Sequence, residues 1–137
     1  MPSRRRSRAD LRKPSDKEPS KPFLDRRSDK PRDIEISTIE KGSNLGLIVK
    51  NELVAENILP LREAFRKVIG REHIRRVVVN LSAVPYMDTA AAGMLADANR
   101  ELKAAGKELI LVNLQPRVQR FFDILNLQNA FDIRRLQ

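Results

Sequence analysis

Cysteine is missing from the 137-residue chain, and histidine occurs once, as His73. Without cysteine there can be no disulfide, thiolate metal site or thiol nucleophile. A single histidine rules out multi-histidine metal sites and leaves a Ser-His-Asp triad only one candidate base. No apolar run approaches the about 18 residues of a membrane-spanning helix, so no direct membrane insertion is expected. The arginine-rich start is followed by no apolar stretch and does not read as a secretory signal, which points to a cytoplasmic protein. No Walker loop, dinucleotide glycine fingerprint, metal-ligand spacing or internal repeat appears, so neither a cofactor nor a metal is expected. An enzyme is disfavoured too, because no nucleophile, base and oxyanion donors converge.

The net charge of +9 divides unevenly. Residues 1–32 hold 12 Lys/Arg against 5 Asp/Glu, and residues 33–137 hold 15 against 13. Basicity therefore belongs mainly to the first segment and marks no basic face on the second. Residues 1–32 also hold five of the eight prolines and few apolar residues, chiefly Leu11, Phe23 and Leu24. Such a stretch cannot bury enough surface to offset about 1–2 kcal/mol per residue of backbone ordering, and it reads as a disordered tail. It reads as a solubilising or vestigial extension, or as a weak electrostatic tether to nucleic acid, membrane or an acidic partner. It lacks the interleaved aromatics that stack on bases.

From Asp33 the pattern changes, and residues 33–137 read as one domain. Ile34–Ile39 alternates as a strand, Lys41–Asn44 is a turn, and Leu45–Val49 is a second strand. Leu61, Phe65, Val68 and Ile69 fall at helical spacing, with Pro60 in the first turn and Gly70 as the stop. Arg76–Leu81 is nearly continuously apolar, as suits a strand buried on both faces. Pro85–Asp88 is a loop. A helix runs from Thr89 to about Ala105, with an apolar stripe of Ala91, Leu95, Ala98 and Leu102 and a stop at Gly106. Leu109–Val112 is a strand. Gln115–Pro116 opens a helix whose face is Val118, Phe121, Phe122 and Leu125, ended by Asn126. Phe131–Ile133 makes a last short strand. The order β-β-α-β-α-β-α-β, with right-handed crossovers, predicts an α/β fold: a mixed, mostly parallel sheet with helices packed on it.

The segment richest in function is Val77–Ala98, VVVNLSAVPYMDTAAAGMLADA. A buried strand leads through a polar loop into a helix start. Thr89 sits at or near the N-cap, where its hydroxyl could accept a first-turn amide. Ala90, Ala91, Ala92 and Gly93 leave the first-turn backbone approachable, so an anion on Thr89 would meet free N–H groups and the positive helix end. A phosphate there would place about −1.5 to −2 charges beside Asp88. Two readings stay open at this point, a phospho-switch and a plain helix cap over small packing residues.

The arrangement resembles the STAS family, which typically carries Asp-Ser-Ser-Gly-Leu-Gly where this chain has Asp88-Thr89-Ala90-Ala91-Ala92-Gly93. Glu52-Leu53 resembles the family's Gly-Glu-Leu-Asp turn, with Asn51 in place of its Gly and Val54 in place of its Asp. Asn80-Leu81, Leu102–Leu109 and Val118–Leu127 are similar to later family segments, so the likeness spans residues 34–133. The resemblance implies an anti-sigma factor antagonist, a protein-binding switch with Thr89 as phosphate acceptor and Asp88 as its acidic neighbour. It implies a partner anti-sigma factor that is also a serine/threonine kinase of the histidine-kinase-like ATPase type, and a PP2C-like phosphatase. The implied contact surface is the loop Ser82, Val84, Pro85, Tyr86, Met87, Asp88 with Ala90, Ala91, Gly93 and Met94. The alternative that the resemblance implies is a regulatory subunit of a lipid-transport ABC system, or of a stress-sensing complex, without a phospho-cycle.

Other residues have plainer readings. His73 reads as a solvated loop residue rather than a ligand or base. Arg75-Arg76 reads as the exposed start of a strand rather than a phosphate site. Phe121 reads as core or as a partner contact, with Arg117 and Arg120 on the solvated face.

Overall fold

The computed structural model describes residues 32–136. The tail expected over 1–32 lies outside them except for Arg32. The elements are β1 (Glu35–Lys41), β2 (Asn44–Lys50), α1 (Leu59–Ile69), β3 (Arg76–Ala83), α2 (Thr89–Ala104), β4 (Glu108–Val112), α3 (Pro116–Ile124) and β5 (Asp132–Arg134). Type and order match the sequence expectation throughout. Gly42 takes a positive φ of 61° in the β1–β2 turn, a conformation glycine adopts without steric cost.

Within the described residues the strands form a five-stranded sheet in the order β1-β2-β3-β4-β5. β1 and β2 pair antiparallel, and every later pair is parallel. Each parallel connection is a crossover in the same direction along the sheet. With right-handed crossovers, α1, α2 and α3 must then all pack on one face. The core confirms this: Leu45, Leu47 and Val49 of β2, Val77, Val79 and Leu81 of β3, and Leu109 and Leu111 of β4 cluster with the helix residues. α1 contributes Leu61, Phe65 and Val68; α2 contributes Ala91, Leu95, Ala98 and Leu102; α3 contributes Val118 and Phe122. Burying a side chain such as Leu95 stabilises the domain by about 1.5–3 kcal/mol.

Two packing expectations need correction. β3 is not buried on both faces, because the helices occupy one side only and Val78, on the other, is half-buried. Ile110 and Val112 of β4 are buried on that open side, in the row between β3 and the Asp132–Arg134 ion pair of β5. Leu125 does not join the α3 core face: it is the cap residue after the last turn and is exposed.

The helix ends obey local chemistry. After α2, Gly106 turns left-handed at φ 78°, its amide donating to Lys103 O and that of Lys107 to Leu102 O. Asn126 does the same after α3 at φ 58°, with Leu127 N donating to Phe122 O. Lys107 then turns inward, only 5% exposed, and its ammonium donates to the carbonyls of Arg71 (2.9 Å) and Ile74 (2.6 Å).

Candidate functional site: the start of helix α2

β3 delivers the chain to the site, and two loops are laced together to hold it there. The Asn80 side chain accepts the Ser82 amide at 2.9 Å, which closes the strand end. Gln115, at the α3 N-cap, donates to Ser82 O at 2.8 Å and ties this end to the start of α3. The β2–α1 loop runs alongside. Asn51 N donates to Ala83 O, Leu53 N to Tyr86 O, and Asp88 N to Leu53 O, with Leu53 and Met87 forming a parallel bridge. Both bridging side chains are fully buried and anchor the loops from beneath.

The β2–α1 loop is itself fixed by two asparagines. Asn51 sits at φ 87°, a left-handed conformation that asparagine tolerates far better than branched residues, and donates to Asp33 O at 2.8 Å. That explains how Asn51 serves where glycine is usual. Asn57 is buried; it accepts Val54 N and donates to the carbonyls of Glu52 and Arg32.

Asp88, not Thr89, is the N-cap. Its backbone is extended (φ −101°, ψ 177°), and its carboxylate accepts Ala91 N through Oδ1 at 2.9 Å. The other oxygen, Oδ2, accepts Ala55 N at 3.1 Å, so one carboxylate joins α2 to the neighbouring loop. Thr89 is already the first helical residue and is exposed, and among the described residues its hydroxyl makes no hydrogen bond. The expected Thr89 cap therefore fails for a geometric reason: the extended backbone that aims a side chain at the first turn belongs to the preceding residue. With Ala91 N taken by the carboxylate and Ala92 N by Asp88 O, the amides of Thr89 and Ala90 have no acceptor among the described residues. They point out of the helix at its positive end.

The surface around Thr89 is poor in side chains. Ala90 and Gly93 are exposed, and a Cβ built on Gly93 meets nothing within 4 Å. No internal packing requires a glycine there, although glycine inside a helix costs about 0.5–1 kcal/mol relative to alanine. Of the residues expected to meet a partner, Ser82, Pro85, Tyr86, Thr89, Ala90 and Gly93 are exposed, and Asp88 is half-buried. Val84, Met87 and Ala91 are at most 1% exposed. Their side chains belong to the core and cannot contact a docked protein; they shape the loop and the helix start from below. Met94, 8% exposed, lines a groove of about 240 Å³ between α1 and α2, with Ile58, Arg62, Phe65 and Ala90. On the other side, the Arg117 guanidinium lies 5.4 Å from the centroid of the exposed Tyr86 ring.

The remaining candidates lie elsewhere. His73 Nε2 is 2.8 Å from Glu40 Oε2, and Arg71 holds Glu40 Oε1 at 2.8 Å. Hydrogen bonds from His73, then from Arg71, hold the Glu40 carboxyl below its ordinary pKa. Arg76 pairs with Glu108 at 3.0 Å. Among the described residues no acidic or histidine cluster is placed to hold a metal ion, and no helix is long and apolar enough to cross a membrane.

The sequence reading missed the Asp88–Ala55 link, the Asn57 plug and the Gln115–Ser82 tie. A polar Asn57 between Val54 and Ile58 was the one local signal; the others join residues 33 apart, with no pattern to announce them.

The chain is similar to known proteins in sequence and in fold. The family model described as "STAS domain" matches residues 35–135. An anti-sigma-B factor antagonist of Listeria monocytogenes is 27% identical over 94 residues, covering 69% of this chain and 82% of that protein. In shape, the chain is similar to an anti-sigma factor antagonist from Mycobacterium paratuberculosis (TM-score 0.64, 20% identity, covering 74% of this chain and 85% of that one). It is also similar to the Bacillus cell fate determinant SpoIIAA in its phosphorylated form (TM-score 0.61, 17% identity, covering 75% and 92%).

Proposed function

The chain belongs to the STAS domain family, and from that premise we propose that it is a cytoplasmic anti-sigma factor antagonist that docks through the start of α2 and is switched by phosphorylation of Thr89. The observation that carries the reading is the bare strip Thr89-Ala90-Gly93. It is exposed and holds a glycine for which the fold itself has no packing use. A protein seated on it can approach the helix backbone closely.

The same strip accommodates the switch. The partner, a histidine-kinase-like ATPase acting as anti-sigma factor, transfers the γ-phosphoryl group of ATP to Thr89 Oγ1. The hydroxyl loses its proton and ADP leaves. The phosphate brings about −1.5 to −2 charges to the first helical position. There the positive helix end and the Thr89 and Ala90 amides favour it, while the Asp88 carboxylate opposes it. The two effects offset one another within the domain, so the fold tolerates the modification. A partner face packed on this strip has no such compensation and is repelled or left with buried charge. A PP2C-like phosphatase restores the hydroxyl with water and releases inorganic phosphate.

The test is a binding assay between the cognate ATPase and the wild-type, Thr89→Ala and Thr89→Glu chains, with phosphosite mapping after incubation with ATP. Binding by wild type and Thr89→Ala, loss with Thr89→Glu, and phosphate on Thr89 alone are expected. Unchanged binding by Thr89→Glu would remove the switch and favour a constitutive docking subunit, as in the lipid-transport or stress-complex reading.

A further inference from the structure

We infer that the docking surface continues from the α2 start onto α3, and that this extension takes an acidic amphipathic helix of a partner protein. The inference rests on the proposed docking at α2 only for the continuity of the two patches.

α3 has nine residues and two stripes. Val118 and Phe122 face the core. Arg117, Arg120, Phe121 and Ile124 fall at i, i+3, i+4 and i+7, the spacing of a helix face that meets another element. Phe121 is half-buried against the edge of the core, whereas Arg117, Arg120 and Ile124 are exposed. These four residues, with Tyr86, line a groove of about 180 Å³ that backs onto the buried Met87 and Val118. Ile124 is 73% exposed, the most exposed large apolar residue described, and Tyr86 is 40% exposed beside it. Leaving such a side chain in water forgoes about 1.5–3 kcal/mol that burial against a partner would return.

The groove also carries charge of one sign. Two arginines line it and no carboxylate does. Arg117 is spread over the Tyr86 ring, and Arg120 has no carboxylate within ion-pair distance among the described residues. Asp123, the acid of α3, is hydrogen-bonded to Gln119 instead. A concave apolar floor with arginine flanks complements a helix with apolar residues at i, i+3/i+4 and i+7 and carboxylates beside them. Tyr86 belongs both to this groove and to the loop leading into Asp88-Thr89, so a single partner can span the two patches.

The probe is a synthetic 14-residue helical peptide with leucines at that spacing and glutamates between them, with a lysine-for-glutamate version as control. Each is titrated into the ¹⁵N-labelled full chain. The glutamate peptide is expected to shift the amides of Tyr86 and of residues 117–125, and the lysine peptide to leave them still. Ile124→Asp and the pair Arg117→Glu/Arg120→Glu, all solvent-facing, should each weaken binding about tenfold or more while the remaining spectrum stays native. No shifts, shifts elsewhere, or equal shifts from both peptides overturn the inference. So does concentration-dependent broadening of these amides without peptide, which makes the occupant a second copy. Binding to phosphatidylglycerol vesicles with no response to the glutamate peptide makes it a membrane surface. The titration needs neither a kinase nor Thr89, so failure of the phospho-switch leaves its outcome intact, and the reverse holds equally.

Discussion

Asp88 is the residue on which the site's geometry most directly depends, because its one carboxylate holds both the start of α2 and the neighbouring loop. Replacing it with alanine removes the cap on Ala91 N, a loss of about 1 kcal/mol. It also removes the charge-assisted bond from Ala55 N, ordinarily worth about 1.5–3 kcal/mol, but Ala55 is exposed and water recovers part, leaving about 1 kcal/mol. Asp88→Ala should therefore cost about 2 kcal/mol. Asp88→Asn keeps an oxygen for the cap, where asparagine serves as well as aspartate, but turns an NH₂ toward the Ala55 amide. It should cost about 1 kcal/mol. Urea unfolding reads both: the midpoint should fall by roughly 1–2 M for alanine and about half that for asparagine, with unchanged slope. Hydrogen exchange should quicken at Ala55 in both variants and at Ala91 only with alanine. If asparagine proves as damaging as alanine, or if both stay within about 0.5 kcal/mol of wild type, the picture of one carboxylate serving two amides is wrong.

Three other positions make equally definite predictions. Asn51→Gly should leave stability within about 1 kcal/mol, since relief at φ 87° offsets the lost bond to Asp33, whereas Asn51→Val should lose about 2 kcal/mol or more; thermal unfolding separates them. Lys107→Met keeps the buried stem but strands the Ile74 carbonyl, while Arg71 O keeps the Ile74 amide, and should cost about 1–3 kcal/mol, lowering the melting temperature by roughly 5 °C or more. Carboxyl NMR should place Glu40 below its ordinary 4.5, with His73→Ala and Arg71→Ala each moving it up. Because the folded value is depressed, this contribution to stability is present above the ordinary value and disappears as pH falls through the folded one. Urea-unfolding stabilities of wild type and Glu40→Gln should thus converge toward acid pH.

Elements with a strong periodic pattern were legible in the sequence. The stripe Ala91-Leu95-Ala98-Leu102 named the buried face of α2, and Gly106 and Asn126 named the two helix ends. The helix start in the segment Asp88–Gly93 was recognisable, yet its cap is Asp88 rather than Thr89. Aspartate and threonine are both good caps, and only the backbone angles show which one is aimed at the first turn. The continuous run Val77-Val78-Val79 promised two covered faces, but an apolar run cannot report how many layers lie against it. That depends on strand order, which places all three helices on one side. The buried Lys107 had no signal at all, because its partners lie across the fold on residues 71 and 74.

The sequential strand order has a kinetic consequence. No strand must be threaded between two already in place, so the sheet can grow outward from the β1–β2 hairpin, one crossover at a time. Each parallel pairing closes only the one crossover between consecutive strands, such as that from Asn44 to Arg76, and no longer loop has to be closed. Growth in one direction also ranks the strands by when they join. β5, three residues at the far edge and paired only with β4, joins last and opens first. Its amides should exchange with solvent well before those of β2 and β3, which are flanked on both sides.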